Sequence, residues 1–254
     1  MESKRTVRLK SVAQTLQKQN AIHLRDMAEL LDVSEMTLRR DLDQHDGDLR
    51  LLGGYITRIA DPAETSDYRV NEQDSRQIEE KRRIGRLAAA FVRQGDTIFL
   101  DCGTTTPFVV DFIPDDLAFT AVCNSLNVLL RLQQKPNCTI ILCGGTFHRH
   151  NLVFENRTES SVLDGIRLAH AFISAAGVSR QFGVTCFNLD EVDVKRKVLR
   201  QAQQCLLLAD HTKFDTVRAA YFAELADFHF VVSDKKISRD YRDFFTAGET
   251  RLLI

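Results

Sequence analysis

Apolar residues in the first part of the chain recur with the spacing of short amphipathic helices. The pattern predicts one helix over residues 7–16 and a second over residues 24–31. A third helix is predicted to begin at Ser34, because serine is a good N-cap residue. Residues 47–55 then place short apolar runs between glycines, which predicts a β-hairpin.

The rest of the chain alternates apolar runs of strand length with amphipathic helices. Residues 61–80 begin with Asp61-Pro62 and are mostly polar, so they are interpreted as a linker that merges into a helix. The next apolar stripe predicts a helix over residues 84–92. Strands are predicted at 97–100, 119–122, 139–142, 171–175, 205–209, 228–232 and 252–254, and helices at about 105–113, 126–133, 191–203 and 238–247.

This alternation predicts an α/β protein with a mostly parallel sheet that helices cover on both faces. The predicted domains are a DNA-binding domain over residues 1–58, a linker over 59–78 and an α/β domain over 79–254.

Composition says more about the cellular compartment of the protein than about its binding partner. No apolar run reaches eighteen residues and residues 1–10 are polar or charged, which predicts neither a membrane span nor a signal peptide. The six cysteines are scattered without a CxxC pair, which favours a reduced, cytoplasmic protein without a zinc site. Basic and acidic residues number 34 and 35 in the chain, and nine each in the first 55 residues. A nucleic-acid hypothesis must therefore rest on where the charges lie.

Residues 24–42 contain the parts of a helix-turn-helix. Ala28 is small where two helices would cross, and Asp32 lies at a tight turn where aspartate tolerates the left-handed conformation. Val33 is expected to fill the angle between the helices, and Ser34 to cap the second one. With the glycine-flanked hairpin as a wing, the segment predicts a winged helix-turn-helix.

The second helix of this motif would expose polar side chains to the major groove, opposite Leu38 and Leu42. The alternative is a helical hairpin with a solvated charged face. Positive residues among the first ten and on the wing favour DNA: Lys4, Arg5, Arg8, Lys10 and Arg50. The predicted DNA-binding residues are Ser34, Glu35, Met36, Thr37, Arg39, Arg40 and Arg50.

Small and polar residues follow several predicted strands at their carboxyl ends, where ligands bind in open α/β sheets. They are Asp101, Gly103, Thr104 and Thr105 after the first of these strands, Asn124 and Ser125 after the second, Gly144 and Gly145 after the third, and Lys213 later. Backbone N–H groups, hydroxyls, a helix start and one ammonium group suit a phosphate or sugar phosphate. The alternative is that these residues are ordinary loop chemistry.

The motifs together resemble those of the DeoR family of bacterial repressors over nearly the whole chain. The matching segments are Val33-Ser34-Glu35-Met36-Thr37-Leu38-Arg39-Arg40-Asp41-Leu42, Leu52-Gly53-Gly54, Asp101-Cys102-Gly103-Thr104-Thr105-Thr106-Pro107, Cys143-Gly144-Gly145, Ser174-Ala175-Ala176-Gly177-Val178 and Thr185-Cys186-Phe187-Asn188. The resemblance implies a C-terminal domain similar to ribose-5-phosphate isomerase. It also implies a phosphorylated-sugar effector, more specifically deoxyribose 5-phosphate, and nucleoside-catabolism operons as targets.

The same resemblance implies roles for individual residues. Thr104, Thr105 and Lys213 would hold the phosphate. Asp101, Asn124 and Glu191 would face the sugar hydroxyls. Lys81 and Lys195 also match family positions, although lysines on helix surfaces are commonly only solvated.

One departure from the family pattern argues against an enzyme. Most members have Gly-Ala-Asp after the fourth strand, whereas this chain has Ser174-Ala175-Ala176-Gly177, without a carboxylate to serve as general base. Cys102 has no base near it in sequence, so packing is the favoured role for this thiol. No Cys, Asp or third His lies close to His148 and His150 in sequence, so no metal is predicted. No cofactor is predicted either.

The favoured hypothesis is a cytoplasmic repressor that binds operator DNA and loses affinity when a phosphorylated sugar binds. A homo-oligomer is expected, because one helix-turn-helix reads only a half-site. Two rivals remain at this stage. One is a sugar-phosphate isomerase that carries a DNA-binding appendage, and the other is an activator or architectural protein without a small-molecule ligand.

Overall fold

The computed structural model describes residues 4–18, 21–43, 49–52, 54–58, 77–156 and 161–254. The chain divides into two compact units, Met1–Asp67 and Tyr68–Ile254. Most of the predicted linker, residues 59–76, lies outside the described residues. Within the described ranges no helix combines the length and apolar content that a bilayer crossing needs.

The first unit contains the three predicted helices and the predicted hairpin. Its elements are α1 (Lys4–Lys18), β1 (Ala21–His23), α2 (Leu24–Leu30), α3 (Glu35–Asp43), β2 (Leu49–Leu52) and β3 (Tyr55–Arg58). The strands form an antiparallel sheet in the order β1-β3-β2. Strand β1 was not predicted, since three residues are too few to show an alternating pattern.

Side chains from the three helices and from β3 form the centre of the core of this unit. Val12 of α1, Met27 of α2, Leu38 of α3 and Ile56 of β3 are all completely buried and belong to one apolar cluster. The cluster lies within residues 9–56, so the first unit has a hydrophobic core of its own.

The second unit is an α/β domain. Its elements are α4 (Ile78–Ala89), β4 (Thr97–Leu100), α5 (Pro107–Phe112), β5 (Phe119–Cys123), α6 (Leu126–Leu132), β6 (Cys138–Leu142), β7 (Thr146–His148), β8 (Val153–Glu155), β9 (Leu168–Ser174), β10 (Gly177–Ser179), β11 (Gly183–Cys186), α7 (Val192–Gln201), β12 (Ala202–Leu208), β13 (Ala220–Ala223), β14 (Phe230–Val232), α8 (Arg239–Ala247) and β15 (Arg251–Leu253). Short 3₁₀ helices lie at Val162–Gly165, Leu189–Glu191, His211–Lys213 and Leu225–Asp227.

All seven predicted strands enter one parallel sheet in the order β15-β14-β12-β9-β4-β5-β6. Successive residues of β4 point to opposite faces, as strand geometry requires. Phe99 packs into the apolar cluster on one face, while Ile98 and Leu100 pack into the cluster on the other. Both faces are therefore covered, which confirms the predicted α/β architecture.

Two smaller sheets were not predicted. Strands β7 and β8 form an antiparallel hairpin after β6, and β10, β11 and β13 form an antiparallel sheet in the order β10-β11-β13. Their strands have three or four residues and include small or polar side chains, so apolar periodicity is weak in them.

Candidate functional site

The turn between α2 and α3 has the geometry that its sequence predicts. Asp32 adopts the left-handed conformation with φ of 51°. The next residue, Val33, donates its N–H to the carbonyl of Ala28 at 3.0 Å. Ser34 Oγ accepts from the backbone N–H of Thr37 at 3.1 Å and so caps α3.

Helix α3 buries one face and leaves the other to solvent. Leu38 and Leu42 are buried, whereas Met36 is 71% exposed despite its apolar side chain. The exposed residues of α3 also include Glu35, Arg39 and Arg40, and Thr37 is half-buried. Within the described part of the chain, Arg39 and Arg40 make no hydrogen bond or ion pair, which leaves two guanidinium groups available to an anionic partner.

Other basic residues of this unit that the sequence suggests as DNA contacts are less available to DNA than Arg39 and Arg40. Arg8 Nε lies 2.6 Å from Asp41 Oδ2, so this guanidinium group ties α1 to α3. Arg50 is half-buried and donates to the carbonyl of Leu49 at 2.8 Å. The side chain of Lys4 lies outside the described residues.

A pocket opens at the carboxyl ends of the central strands of the second unit. Its empty volume is about 430 Å³, a figure that includes the open mouth. The pocket is lined by Gly103, Thr104, Thr105, Ser174, Ala175, Ala176, Cys186, Phe187, Glu191 and Lys213. Five of the predicted effector-binding residues therefore meet there: Gly103, Thr104, Thr105, Glu191 and Lys213.

The loop after β4 is held from several sides. Gly103 has φ of 101°, and a Cβ at this position would lie 2.7 Å from Ser174 Oγ, so glycine is needed here. Its carbonyl accepts from Asn127 Nδ2 at 2.7 Å. Helix α5 begins at Pro107, two residues later than predicted, and has only six residues, so its dipole contributes less to the pocket than the sequence suggests.

Asp101 lies beneath the pocket lining rather than in it. One carboxylate oxygen, Oδ2, accepts from the backbone N–H of Ser174 at 2.9 Å, from Ser174 Oγ at 3.1 Å and from Lys195 Nζ. Lys195 also donates to the carbonyl of Ser174 at 3.2 Å and lies 3.7 Å from Glu191 Oε2. Asp101, Glu191 and Lys195 are all buried, so the network is a desolvated cluster of charges.

Opposing effects act on the pKa of Lys195. Burial lowers this pKa, but the neighbouring carboxylates of Asp101 and Glu191 raise it by more, and the net pKa is well above the usual value. Lys195 therefore stays charged and offsets the two carboxylates. This side chain was judged an ordinary surface lysine from the sequence alone, because Asp101 is remote along the chain.

Asn124 and Ser125 lie beside the pocket rather than in its lining. Leu100 of β4 is paired with Cys123 of β5, so Asp101 and Asn124 end neighbouring strands. The β7–β8 hairpin covers Asn124 and Ser125, whose side chains are buried. Among the described residues, Asp101 Oδ1, Asn124 Oδ1, Ser125 Oγ and Asn151 Oδ1 are buried oxygens without a hydrogen-bond partner, as expected for a region that accepts water or ligand hydroxyls.

Gly144 and Gly145 serve the hairpin rather than the pocket. They follow β6, and a Cβ at Gly145 would lie 2.1 Å from the carbonyl oxygen of Glu155. Neither glycine lines the pocket. Their positive φ angles, 66° and 111°, allow the chain to turn from β6 into β7.

Lys213 reaches the pocket from the segment after β12, which lies two strands from β4 in the sheet. The carboxylate of Asp210 accepts from the N–H of Thr212 at 2.9 Å and so caps the 3₁₀ helix that ends at Lys213. The side chain of Lys213 is half-buried and lines the pocket together with Thr104 and Thr105. The lining therefore contains two hydroxyls and a cation.

The thiols at the pocket are poor nucleophiles. Burial raises the pKa of Cys186 to about 12, and burial together with Asp101 and Glu191 raises the pKa of Cys102 well above its usual value. Both thiols stay protonated at neutral pH. The carboxylate of Glu191 accepts from the amides of Asn151 and Asn188 at 3.2 and 2.8 Å. The pocket is thus suited to binding polar groups rather than to nucleophilic chemistry.

Sequence reasoning missed about half of the pocket lining. Ser174 ends β9 and is followed by Ala175 and Ala176, while Cys186 ends β11 and is followed by Phe187. Both segments belong to motifs that match the family, but they were not assigned to the effector site, and the small sheet that contains β11 was not predicted. The family motifs were the available signal.

Comparisons with known proteins cover both units. A model described as a DeoR-like helix-turn-helix domain matches residues 8–58, and one described as a DeoR C terminal sensor domain matches residues 76–235. The deoxyribose operon repressor of Escherichia coli (strain K12) is 46% identical over 253 residues, 100% of both chains. The HTH-type transcriptional repressor GlcR of Bacillus subtilis (strain 168) is 28% identical over 97% of this chain and 95% of its own.

Solved structures resemble the second unit only distantly. Ribose 5 phosphate isomerase A from Neisseria gonorrhoeae matches with a TM-score of 0.40 and 16% identity, over 54% of this chain and 53% of that chain. A likeness of this extent carries no argument about activity.

Proposed function

Since this chain belongs to the DeoR family of transcriptional repressors, we propose that it represses sugar or nucleoside catabolism genes and leaves its operator when a phosphorylated sugar binds. Like its full-length relatives, which are repressors, it is a repressor with a helix-turn-helix and a sensor domain. It is not an enzyme. The feature that carries the ligand proposal is the pocket that the 103–105 loop lines together with Lys213.

The proposed ligand pose follows from the distribution of polar groups. Thr104, Thr105 and the backbone at Gly103 would donate hydrogen bonds to the phosphate, and Lys213 would supply the full positive charge. Glu191, which also lines the pocket, would accept from sugar hydroxyls. The buried, unpartnered oxygens of Asp101 and Asn124 suit further hydroxyls or bridging water.

Deoxyribose 5-phosphate is the proposed effector. The support is the 46% identity over the full length to a deoxyribose operon repressor. The proposed DNA contacts are those of the exposed face of α3, with Arg39 and Arg40 foremost, since these two guanidinium groups are accessible and unpaired within the described structure.

The proposed mechanism couples two binding equilibria. The ligand lowers operator affinity only to the extent that it binds the DNA-releasing arrangement more tightly than the DNA-bound one. A homo-oligomer is part of the proposal, because a single helix-turn-helix contacts one half-site. The proposed location is the cytoplasm, where the operator DNA is.

The test is release of operator DNA by a panel of small molecules. Full-length protein bound to its operator is titrated with deoxyribose 5-phosphate, ribose 5-phosphate, deoxyribose and inorganic phosphate, and fluorescence anisotropy of the DNA is measured. We expect deoxyribose 5-phosphate to act at the lowest concentration and unphosphorylated deoxyribose to have no effect. If no phosphorylated sugar releases DNA or raises the melting temperature, the pocket is not an effector site.

A further inference from the structure

Three potential metal ligands from separate elements meet beside the pocket wall. They are His148 of β7, Glu155 of β8 and Asp190 of the 3₁₀ helix Leu189–Glu191. One ligand atom from each lies within 4.8 Å of the other two, and His148 Nε2 lies 2.8 Å from Glu155 Oε2. All three residues are partly buried. We propose that they bind one divalent transition-metal ion such as Zn²⁺.

The pairing of β7 with β8 brings two of the ligands together. His148 is paired with Val153, and Glu155 is two residues further along the same strand, so His148 and Glu155 share one face of the hairpin as diagonal neighbours. Phe147 and Phe154 occupy the other face, with ring centroids 4.9 Å apart. The alternation of strand side chains thus separates a polar metal-binding face from an apolar one.

The donor set favours a transition metal over Mg²⁺ or Ca²⁺. An imidazole nitrogen suits zinc and its neighbours in the first transition row, whereas all-oxygen sites suit the harder ions. In a tetrahedral site with bonds of about 2.0–2.2 Å, the ligand atoms lie roughly 3.4 Å apart, so the 2.8 Å between His148 Nε2 and Glu155 Oε2 would open slightly to admit the ion. Two carboxylates neutralise the charge of the cation, and three protein ligands leave a further position for water.

The site would link the hairpin to the wall of the pocket. Asp190 directly precedes Glu191, which lines the pocket, and Asn151 of the hairpin turn already donates to Glu191 Oε1 at 3.2 Å. An ion held by His148, Glu155 and Asp190 would be a second link between the same two segments. The inference depends on these three side chains and not on the identity of the effector.

The sequence argument against a metal considered only neighbours along the chain. It paired His148 with His150, but the structure leaves His150 exposed and outside the group of three, although the two rings are 5.8 Å apart. His150 therefore provides a matched control: the same residue type, in the same hairpin, without a predicted bond to the ion.

Calorimetric titration of the full-length protein with Zn²⁺, after removal of metals with EDTA, tests the proposal. We expect one Zn²⁺ per chain for the wild type and for His150→Ala. For His148→Ala we expect at least tenfold weaker binding, since removing even a group that only orients a ligand costs about 10–100-fold. Asp190→Asn is the second variant, and we expect it to bind Zn²⁺ more weakly than the wild type as well. It keeps the test valid if circular dichroism shows that His148→Ala does not fold.

Cobalt identifies the ligands independently of affinity. Co²⁺ bound by imidazole and carboxylates gives weak visible bands, whereas Co²⁺ bound by any of the six cysteines adds an intense near-ultraviolet thiolate band. The proposal expects the weak bands alone, and their loss in His148→Ala. A thiolate band or the absence of Zn²⁺ binding by the wild type would overturn the proposal. Binding of Zn²⁺ by His148→Ala and Asp190→Asn as tight as by the wild type would also overturn it.

Discussion

Lys195 Nζ donates to the carboxylate of Asp101 although the two residues lie 94 positions apart, and both side chains are almost completely buried. The ion pair joins α7 to the carboxyl end of β4, directly behind the pocket lining. Because Lys195 also donates to the carbonyl of Ser174, one ammonium group fixes three segments that surround the pocket.

Removing this ammonium group should strongly destabilise the fold. Lys195→Met keeps most of the side-chain volume but leaves Asp101 as an uncompensated buried charge, which costs about 3–5 kcal/mol of unfolding free energy. Urea denaturation followed by circular dichroism measures it. The double variant with Asp101→Asn removes both charges and should recover a large part of the loss. A Lys195→Met protein as stable as the wild type would contradict the assigned role of the pair.

Arg39 and Arg40 should matter for DNA and not for folding. Both are exposed on α3, so replacing either with Ala should leave the melting temperature nearly unchanged. Loss of a phosphate contact should weaken binding to all sequences and reduce the salt slope by about one, whereas loss of a base contact should cost about 1–3 kcal/mol at one operator position. Arg239→Ala, an exposed arginine of the second unit, is the control. Operator affinity unchanged in the Arg39→Ala/Arg40→Ala protein would mean that α3 does not read DNA.

Lys213→Gln should uncouple the repressor from its ligand. A charge-assisted hydrogen bond to phosphate contributes about 1.5–3 kcal/mol, so effector affinity should fall about tenfold to a hundredfold while operator affinity stays at the wild-type value. Operator release as a function of effector concentration measures the shift. Lys236→Gln is the matched control, because Lys236 pairs with Glu80 outside the pocket lining. If both variants release operator DNA at the same effector concentration as the wild type, the phosphate binds elsewhere.

The second unit should fold and bind effector without the first. A fragment of residues 68–254 retains both apolar clusters that cover the central sheet. At an effector concentration one hundred times the dissociation constant, mass action should stabilise it by about 2.7 kcal/mol. Differential scanning calorimetry with and without effector measures this. A fragment that shows no cooperative transition would mean that the sensing unit needs residues 1–67.

Stability should fall as the solution is acidified below pH 6.5, partly because of His170. Burial lowers the pKa of this imidazole below its ordinary 6.5, Asp96 opposes the shift and Arg93 adds to it. Below pH 6.5 the imidazole therefore binds a proton more readily in the unfolded chain than in the folded chain. The free energy of unfolding falls as a result. Unfolding free energies between pH 7.5 and 5.5 should decline less steeply in His170→Gln than in the wild type. An unchanged slope in His170→Gln would exclude the imidazole as a contributor.

The central sheet could be predicted because its strands are buried on both faces and read as continuous apolar runs. Their ends were less clear: β12 begins with Ala202, Gln203 and Gln204, whose polar side chains hide a strand that pairs with β9. The small sheets escaped prediction because short strands show no period. The pocket residues that follow parallel strands were found, since topology alone brings them to one edge. Lys195 was missed because only the folded chain reveals Asp101 beside it.

The order of strands in the central sheet has a consequence for synthesis on the ribosome. Strand β4 leaves the ribosome early, but one of its two partners is β9, with Ile98 opposite His170. About seventy further residues must therefore be synthesised before β4 has a partner strand on both sides. Pairing between strands that are so far apart in sequence is slow. The first unit, with its core within residues 9–56, needs nothing that follows, and N-terminal domains generally fold first during translation. Each newly made chain thus carries a finished DNA-reading unit before it has a pocket.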